Sequence, residues 1–210
     1  MRFLSHAETL RVLQRACIRA GINLQYSKGF NPRPRMSLPL PRPVGVESDD
    51  ELLTFRAHKS IGAEEHEGRY TSDEARIMDI LSSQLPEGFE LISVNFAETR
   101  ASYQPRTVTY VFSVRPEFLD EQLQNRIDNL MASESLFIRR AVDERKSNYK
   151  DTDVRNFISS MGLEGGNIVV ECEVTAAGSV RVQEVLELLK LDEAMLASPT
   201  KRTRVKWRDV

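Results

Sequence analysis

The chain has 210 residues, of which 40% are hydrophobic and 29% charged, proportions that suit one ordinary globular domain or two small ones. A formal net charge of -2 excludes a histone-like binder of nucleic acid on the total alone. The charges are segregated, however. Residues 1–46 hold eight Arg and Lys against Glu8, residues 198–210 hold five against Asp209, and the stretch between holds 16 against 29 acids, so both ends are expected to suit an anion.

In chain order, the first element is a helix. Ser5 stands three residues before Glu8, a capping-box pairing. Leu10, Leu13, Cys17 and Ala20 form one apolar face, Arg11, Arg15 and Arg19 recur every four residues on another, and Gly21 closes the helix. Residues 22–48 then hold five prolines, a density that forbids helix and predicts a stiff extended or turning segment. Asn23 to Tyr26 and Met36 to Leu40 read as strand pieces around a turn at Ser27 to Arg35. Glu51 to Ala57 reads as a strand and 61–70 as a polar loop. Thr71 with Glu74 is a second capping box, opening a helix with Ile77, Met78, Leu81 and Leu85 before Pro86 and Gly88. Leu91 to Phe96 reads as a strand.

The second half repeats the order. Val108, Tyr110, Phe112 and Val114 alternate as a strand, and Pro116 opens a helix carrying Leu119, Leu123, Ile127 and Leu130. Leu136 to Val142 and Asn167 to Val174 read as strands, Gly165-Gly166 as a turn, Val182 to Leu189 as a helix and Arg204 to Trp207 as a last strand. The expected class is α+β: two tandem ferredoxin-like units of order βαββαβ, antiparallel sheets with helices on one face. The units are expected at 1–99, with the basic helix and Pro-rich loop, and at 105–210, divided in the polar stretch Glu98 to Gln104.

The most unusual string is Tyr26-Ser27-Lys28-Gly29-Phe30-Asn31-Pro32-Arg33-Pro34-Arg35, which mixes two aromatics, three cations and turn formers without an apolar period. Arginine forks take phosphate oxygens, aromatic faces stack on bases, and a proline-stiffened loop offers both with little ordering cost. The structural alternative is a turn in which Gly29 supplies positive φ, Phe30 plugs the core and the arginines are merely solvated. The row Arg11, Arg15, Arg19 has a similar alternative as the wet face of an amphipathic helix, against which stands its lack of acids at four-residue spacing beyond Glu8.

His6 lies in the first helical turn, placed to meet a phosphate or serve as acid or base, with a surface or packing role as the alternative. Ser5 reads as a cap, and His58 and His66 fall in a polar region with no partner motif. Cys17, Cys172 and three scattered histidines give no metal-ligand spacing, and two cysteines do not supply an iron–sulfur cluster, so no metal or cofactor is expected. The phosphate-loop, dinucleotide and serine-hydrolase motifs are missing. Two distant cysteines fit a reducing, cytoplasmic setting, and no run approaches the roughly 18 apolar residues of a membrane span.

The string Arg2-Phe3-Leu4-Ser5-His6, the Arg15-Ala16 and Arg19-Ala20-Gly21 positions, the stretch Tyr26 to Pro34 and Pro43-Val44-Gly45-Val46-Glu47-Ser48 together resemble one family. It is the radical-SAM-linked family of uncharacterised bacterial proteins. The resemblance covers most of the chain, with Asp153-Val154-Arg155, Arg181 to Leu191 and Arg202-Thr203-Arg204 as its weaker later matches. Members usually carry about a strand's length of chain before the first string, a departure that makes Met1 an internal or misassigned start in expectation. The resemblance implies association with a radical SAM protein that has a cobalamin-binding-type domain, and transfers no catalytic residue.

The expected function is therefore an accessory or adaptor protein of a radical SAM enzyme, binding RNA or another phosphate-bearing substrate through Arg11, Arg15, Arg19, Tyr26, Lys28, Phe30, Asn31, Arg33 and Arg35. The alternatives are an RNA-processing or RNA-modifying enzyme using His6, and a protein-only scaffold whose basic head meets an acidic patch. The first reading requires the guanidinium row and the Tyr-to-Pro bend to converge into one electropositive hollow.

Overall fold

The structure is a computed structural model that describes residues 2–58, 73–97, 101–143 and 148–208. It divides into two compact units, Met1–Val44 with Leu52–Tyr103, and Gly45–Glu51 with Gln104–Asp209.

In the first unit, helix α1 (His6–Arg19) begins at the expected capping box. The Ser5 N–H donates to Glu8 Oε2 at 2.9 Å, and the Glu8 N–H donates to Ser5 Oγ at 3.4 Å. It ends where Gly21, at φ +71°, lets the Ile22 N–H turn back to the Cys17 carbonyl at 3.0 Å and its own N–H reach Ile18 at 3.1 Å. Helix α2 (Asp73–Ser82) follows the expected apolar period and stops before Pro86. The polar loop 61–70 and Thr71 of the second capping box lie outside the described residues. Ala16 and Cys17 of α1, Ile22 and Leu24, and Ile77 and Leu81 of α2 form the core of this unit.

Its strands are shorter than expected. β1 (Met36–Ser37) and β3 (Thr54–Phe55) pair antiparallel, while β2 (Glu47–Ser48) belongs to the other unit. Proline withholds the N–H that a ladder needs, and five prolines leave little of this segment able to pair. Leu91 to Phe96 is not a strand. Leu91 and Val94 pack on the core three positions apart, while Ile92 is 72% exposed, a spacing that a strand's alternating faces do not allow.

The second unit is built on β4 (Gln104–Ser113), β5 (Phe137–Asp143), β6 (Asn148–Asp153), β7 (Ile158–Glu164), β8 (Asn167–Glu173) and β9 (Lys201–Arg208). Its main sheet has the order β2-β9-β4-β8-β7, antiparallel throughout except for the short parallel pairing of β2 on β9. Alternate residues Val108, Tyr110, Phe112, Ile168, Val170 and Cys172 turn inward. They share the interior with Leu123 and Ile127 of α3 (Glu121–Ala132) and Val185 and Leu189 of α4 (Val182–Leu189). α3 packs against β7 and α4.

The α+β class read from the sequence is the class of the structure, with four α-helices among the described residues and sheets that are antiparallel apart from β2 on β9. It departs from a simple repeat of βαββαβ in two places: the described part of the first unit has only a two-stranded sheet, and the second inserts the hairpin β5–β6 between α3 and β7. β6 is missing from the sequence reading because it has a single large apolar residue, Tyr149, and so no period, and β7 because a bulge between Ile158 and Ser160 breaks its alternation. Pro116 opens a separate short 3-10 turn, Pro116–Phe118, which leaves Leu119 off the helix. α3 starts afresh at Asp120, whose side chain accepts from the Leu123 N–H at 2.8 Å. Gly165 and Gly166, both at positive φ, make the turn from β7 to β8 as expected. Asp153 accepts from the Leu136 and Arg155 N–H groups, and the Arg155 guanidinium caps the Met131 and Ser133 carbonyls at the end of α3, a structural role for that string.

Candidate functional site

The Pro-rich segment closes into a hairpin whose stem is backbone. The Ser27 N–H donates to the Arg33 carbonyl at 2.8 Å, the Arg33 N–H returns to the Ser27 hydroxyl at 3.0 Å, and the Arg35 N–H donates to the Gln25 carbonyl at 2.8 Å. Tyr26 faces Pro34 in an antiparallel bridge. The root is tied down by a third strand segment, in which the Arg56 carbonyl accepts from Gln25 N–H and the Arg56 N–H donates to Arg35. Leu24 and Met36, at either side of the hairpin, pack into the core that α1 helps to form.

On this fixed stem every residue of the expected site is exposed: Tyr26, Lys28, Phe30, Asn31, Arg33 and Arg35. The structural alternative in which Phe30 plugs the core is therefore overturned, since its ring is wholly in solvent. Gly29, at φ +132°, holds a backbone conformation open essentially to glycine alone, which turns the tip outward. Residues 9–46 contain no Asp or Glu, and among the described residues no carboxylate lies within ion-pair distance of Lys28, Arg33 or Arg35. Arg56, also exposed and next to Arg35 in register, is a cation of this surface that the sequence reading passed over.

The α1 row is less uniform. Arg11, Arg15 and Arg19 are all exposed, but Arg19 donates to the Gln84 carbonyl at 2.7 Å just beyond α2. Arg11 acts on Glu8, whose carboxyl is held below its usual range chiefly by the Ser5 hydroxyl and Ser5 N–H. Arg15 has no ion-pair partner among the described residues. The row and the hairpin share a core, yet no hydrogen bond or ion pair joins them among the described residues. The site is an exposed hairpin with a cationic helix in the same unit.

Four of the five cations of the basic C-terminal run are engaged inside the second unit. Arg202 is fully buried and pairs with Glu51, its Nε donating to the Ser48 hydroxyl at 3.4 Å, and it also hydrogen-bonds Tyr110. Lys201 pairs with Asp49 at 3.3 Å, Lys206 with Glu171 at 2.6 Å, and Arg208 donates to the Val174 carbonyl at 3.2 Å. The acidic segment 47–51 thus lies along β9 and neutralises it, with Asp50 accepting from the Val205 N–H at 2.6 Å. Arg204 is exposed on the same strand and has no ion-pair partner among the described residues, although its charge acts on Glu171.

Residues 1–187 match the model of a family described as an uncharacterized protein conserved in bacteria, DUF2344. The chain belongs to this family. No curated protein and no solved structure matches it. The DUF2344 match takes in α1 and the whole hairpin, and it ends within α4, ahead of β9.

Of the remaining chemistry-bearing groups in this DUF2344 chain, His6 is half-buried, and its Nδ1 is enclosed without a hydrogen-bond partner among the described residues. Burial pushes the Cys17 thiol up to about 11 and the Cys172 thiol up to about 12, so neither is a thiolate nucleophile at neutral pH. His58 is exposed, and His66 lies outside the described residues. Among the described residues no three His, Cys, Asp or Glu side chains gather as metal ligands, and no helix is long and apolar enough to cross a membrane.

Proposed function

We propose that this chain is a non-catalytic, cytoplasmic accessory protein of a radical SAM enzyme with a cobalamin-binding-type domain, and that it holds RNA or another phosphate-bearing substrate. The observation that carries the reading is the hairpin: three exposed cations and two exposed aromatic rings on a hydrogen-bonded stem, with no acid in residues 9–46. A preformed loop binds without first being ordered, and its guanidinium groups fork onto phosphate oxygens. Arg11 and Arg15 extend the positive field along α1. The radical SAM partner rests on the sequence resemblance of the first fifty residues. The strand order β9-β4-β8-β7, with α3 and α4 packed together, supports a ferredoxin-like second unit into which β5–β6 is inserted.

Copurification from the native host under crosslinking tests this. The expected result is a radical SAM protein together with RNA, and loss of the RNA alone from a Lys28→Ala, Arg33→Ala, Arg35→Ala variant. A protein partner that persists after nuclease treatment, with no RNA recovered, overturns the substrate-holding role and leaves a protein-only scaffold. The enclosed, unpartnered Nδ1 of His6 favours one second reading, an RNA-processing or RNA-modifying enzyme. Turnover by the purified protein that vanishes in folded His6→Ala would establish it.

A further inference from the structure

Phosphate contacts alone do not distinguish a duplex from a single strand, but the rings on this hairpin do. Phe30 stands at the tip, wholly exposed, between Lys28 and Arg33 in sequence, and Tyr26 is 44% exposed on the stem below. A side chain with no burial contributes nothing to the core, so Phe30 is not held in place by packing. The backbone aims it instead: Gly29 takes φ +132°, an added Cβ there would meet nothing within 4 Å, and Pro32 fixes φ on the other side of the tip. The glycine is thus required by conformation and not by crowding. Asn31, exposed between the ring and Pro32, offers both an amide donor and a carbonyl acceptor to a base edge.

We propose that the hairpin tip takes unpaired nucleotides, stacking a base on Phe30 while Lys28 and Arg33 hold the flanking phosphates; this rests on the RNA-binding reading above. In an A-form duplex the bases are stacked on one another and the major groove is too deep and narrow for side chains to read. A single strand presents free π-faces, which aromatic rings take up whatever the sequence. The hairpin therefore selects single-stranded segments, loops or ends.

The test is binding of a short labelled RNA oligonucleotide, free or annealed to its complement, by the full chain and by Phe30→Ala, Phe30→Trp and Arg33→Ala across a salt series. Circular dichroism checks folding, which an exposed side chain does not disturb. Single-strand affinity is expected to fall about 5- to 150-fold in Phe30→Ala with an unchanged salt slope, and to persist in Phe30→Trp. Arg33→Ala is expected to lower the slope by about 0.7. Salt-dependent binding that ignores Phe30, or that is as tight for the duplex, overturns this inference and leaves the phosphate-holding role standing. Absence of any salt-dependent RNA binding by the unaltered chain overturns both.

Discussion

Strand β9 is more densely cationic than the hairpin between Gln25 and Arg35, yet among the described residues three of its five cations meet carboxylates and none of the hairpin's three does. On β9, Lys201, Arg202 and Lys206 each meet a carboxylate, and the acids come from far away in sequence, from Asp49, Glu51 and Glu171. Around the hairpin no acid is within reach among the described residues, and residues 9–46 contain none. Equal-looking basic runs thus do opposite things. One holds an acidic segment of its own chain in place, and the other faces solvent with a preformed backbone and unburied rings.

This contrast breaks first on stability. Arg202→Met leaves Ser48, Glu51 and Tyr110 without their shared partner, and the half-exposed Glu51 softens the loss, so about 2–4 kcal/mol of stability is expected to disappear in urea unfolding. Lys28→Ala, Arg33→Ala and Arg35→Ala are each expected to stay within about 0.5 kcal/mol, because they pack on nothing that folding needs. A large loss from a hairpin arginine would mean that its charge is spent internally after all. Ser5→Ala sits between these extremes: removing the cap of α1 is expected to cost about 1 kcal/mol by the same measurement, with RNA affinity of the folded protein little changed.

The smallest effect is on acid stability. The Glu171 carboxyl is held below its usual range mainly by Lys206, Asp153 by the Arg155 and Leu136 N–H groups, and Glu8 by Ser5. For each the folded value lies under the unfolded one, so the stabilisation is complete above the ordinary carboxylate range near pH 4 and is lost as pH falls through the lowered values. Urea midpoints are expected to drop below about pH 4, with the same profile in the hairpin triple variant. A profile altered by that variant would place a titrating carboxylate against the hairpin.

Local signals were legible in the sequence, and pairings were not. The Ser5–Glu8 box and Gly21 mark both ends of α1 because capping is decided within a few residues. The alternation of Val108, Tyr110 and Phe112 marks β4 for the same reason. β6 has Tyr149 as its single large apolar residue and takes its place by pairing with β5, which no local period reveals. The hairpin's exposed residues followed from an aperiodic string of cations and turn formers, whereas the neutralisation of β9 depends on contacts spanning some 150 residues of chain. Arg56 was overlooked because its membership of this surface comes only from its hydrogen bonds to Gln25 and Arg35.

The most direct measurement is the dependence of RNA affinity on salt for three proteins: the unaltered chain, the Lys28→Ala, Arg33→Ala, Arg35→Ala variant, and a Lys201→Ala, Lys206→Ala variant. Each lost phosphate contact lowers the slope of log K against log salt by about 0.7 for a single strand, so the hairpin variant is expected to lose about 2 and the β9 variant none. A hairpin variant that keeps the full slope while the β9 variant loses it would contradict the account.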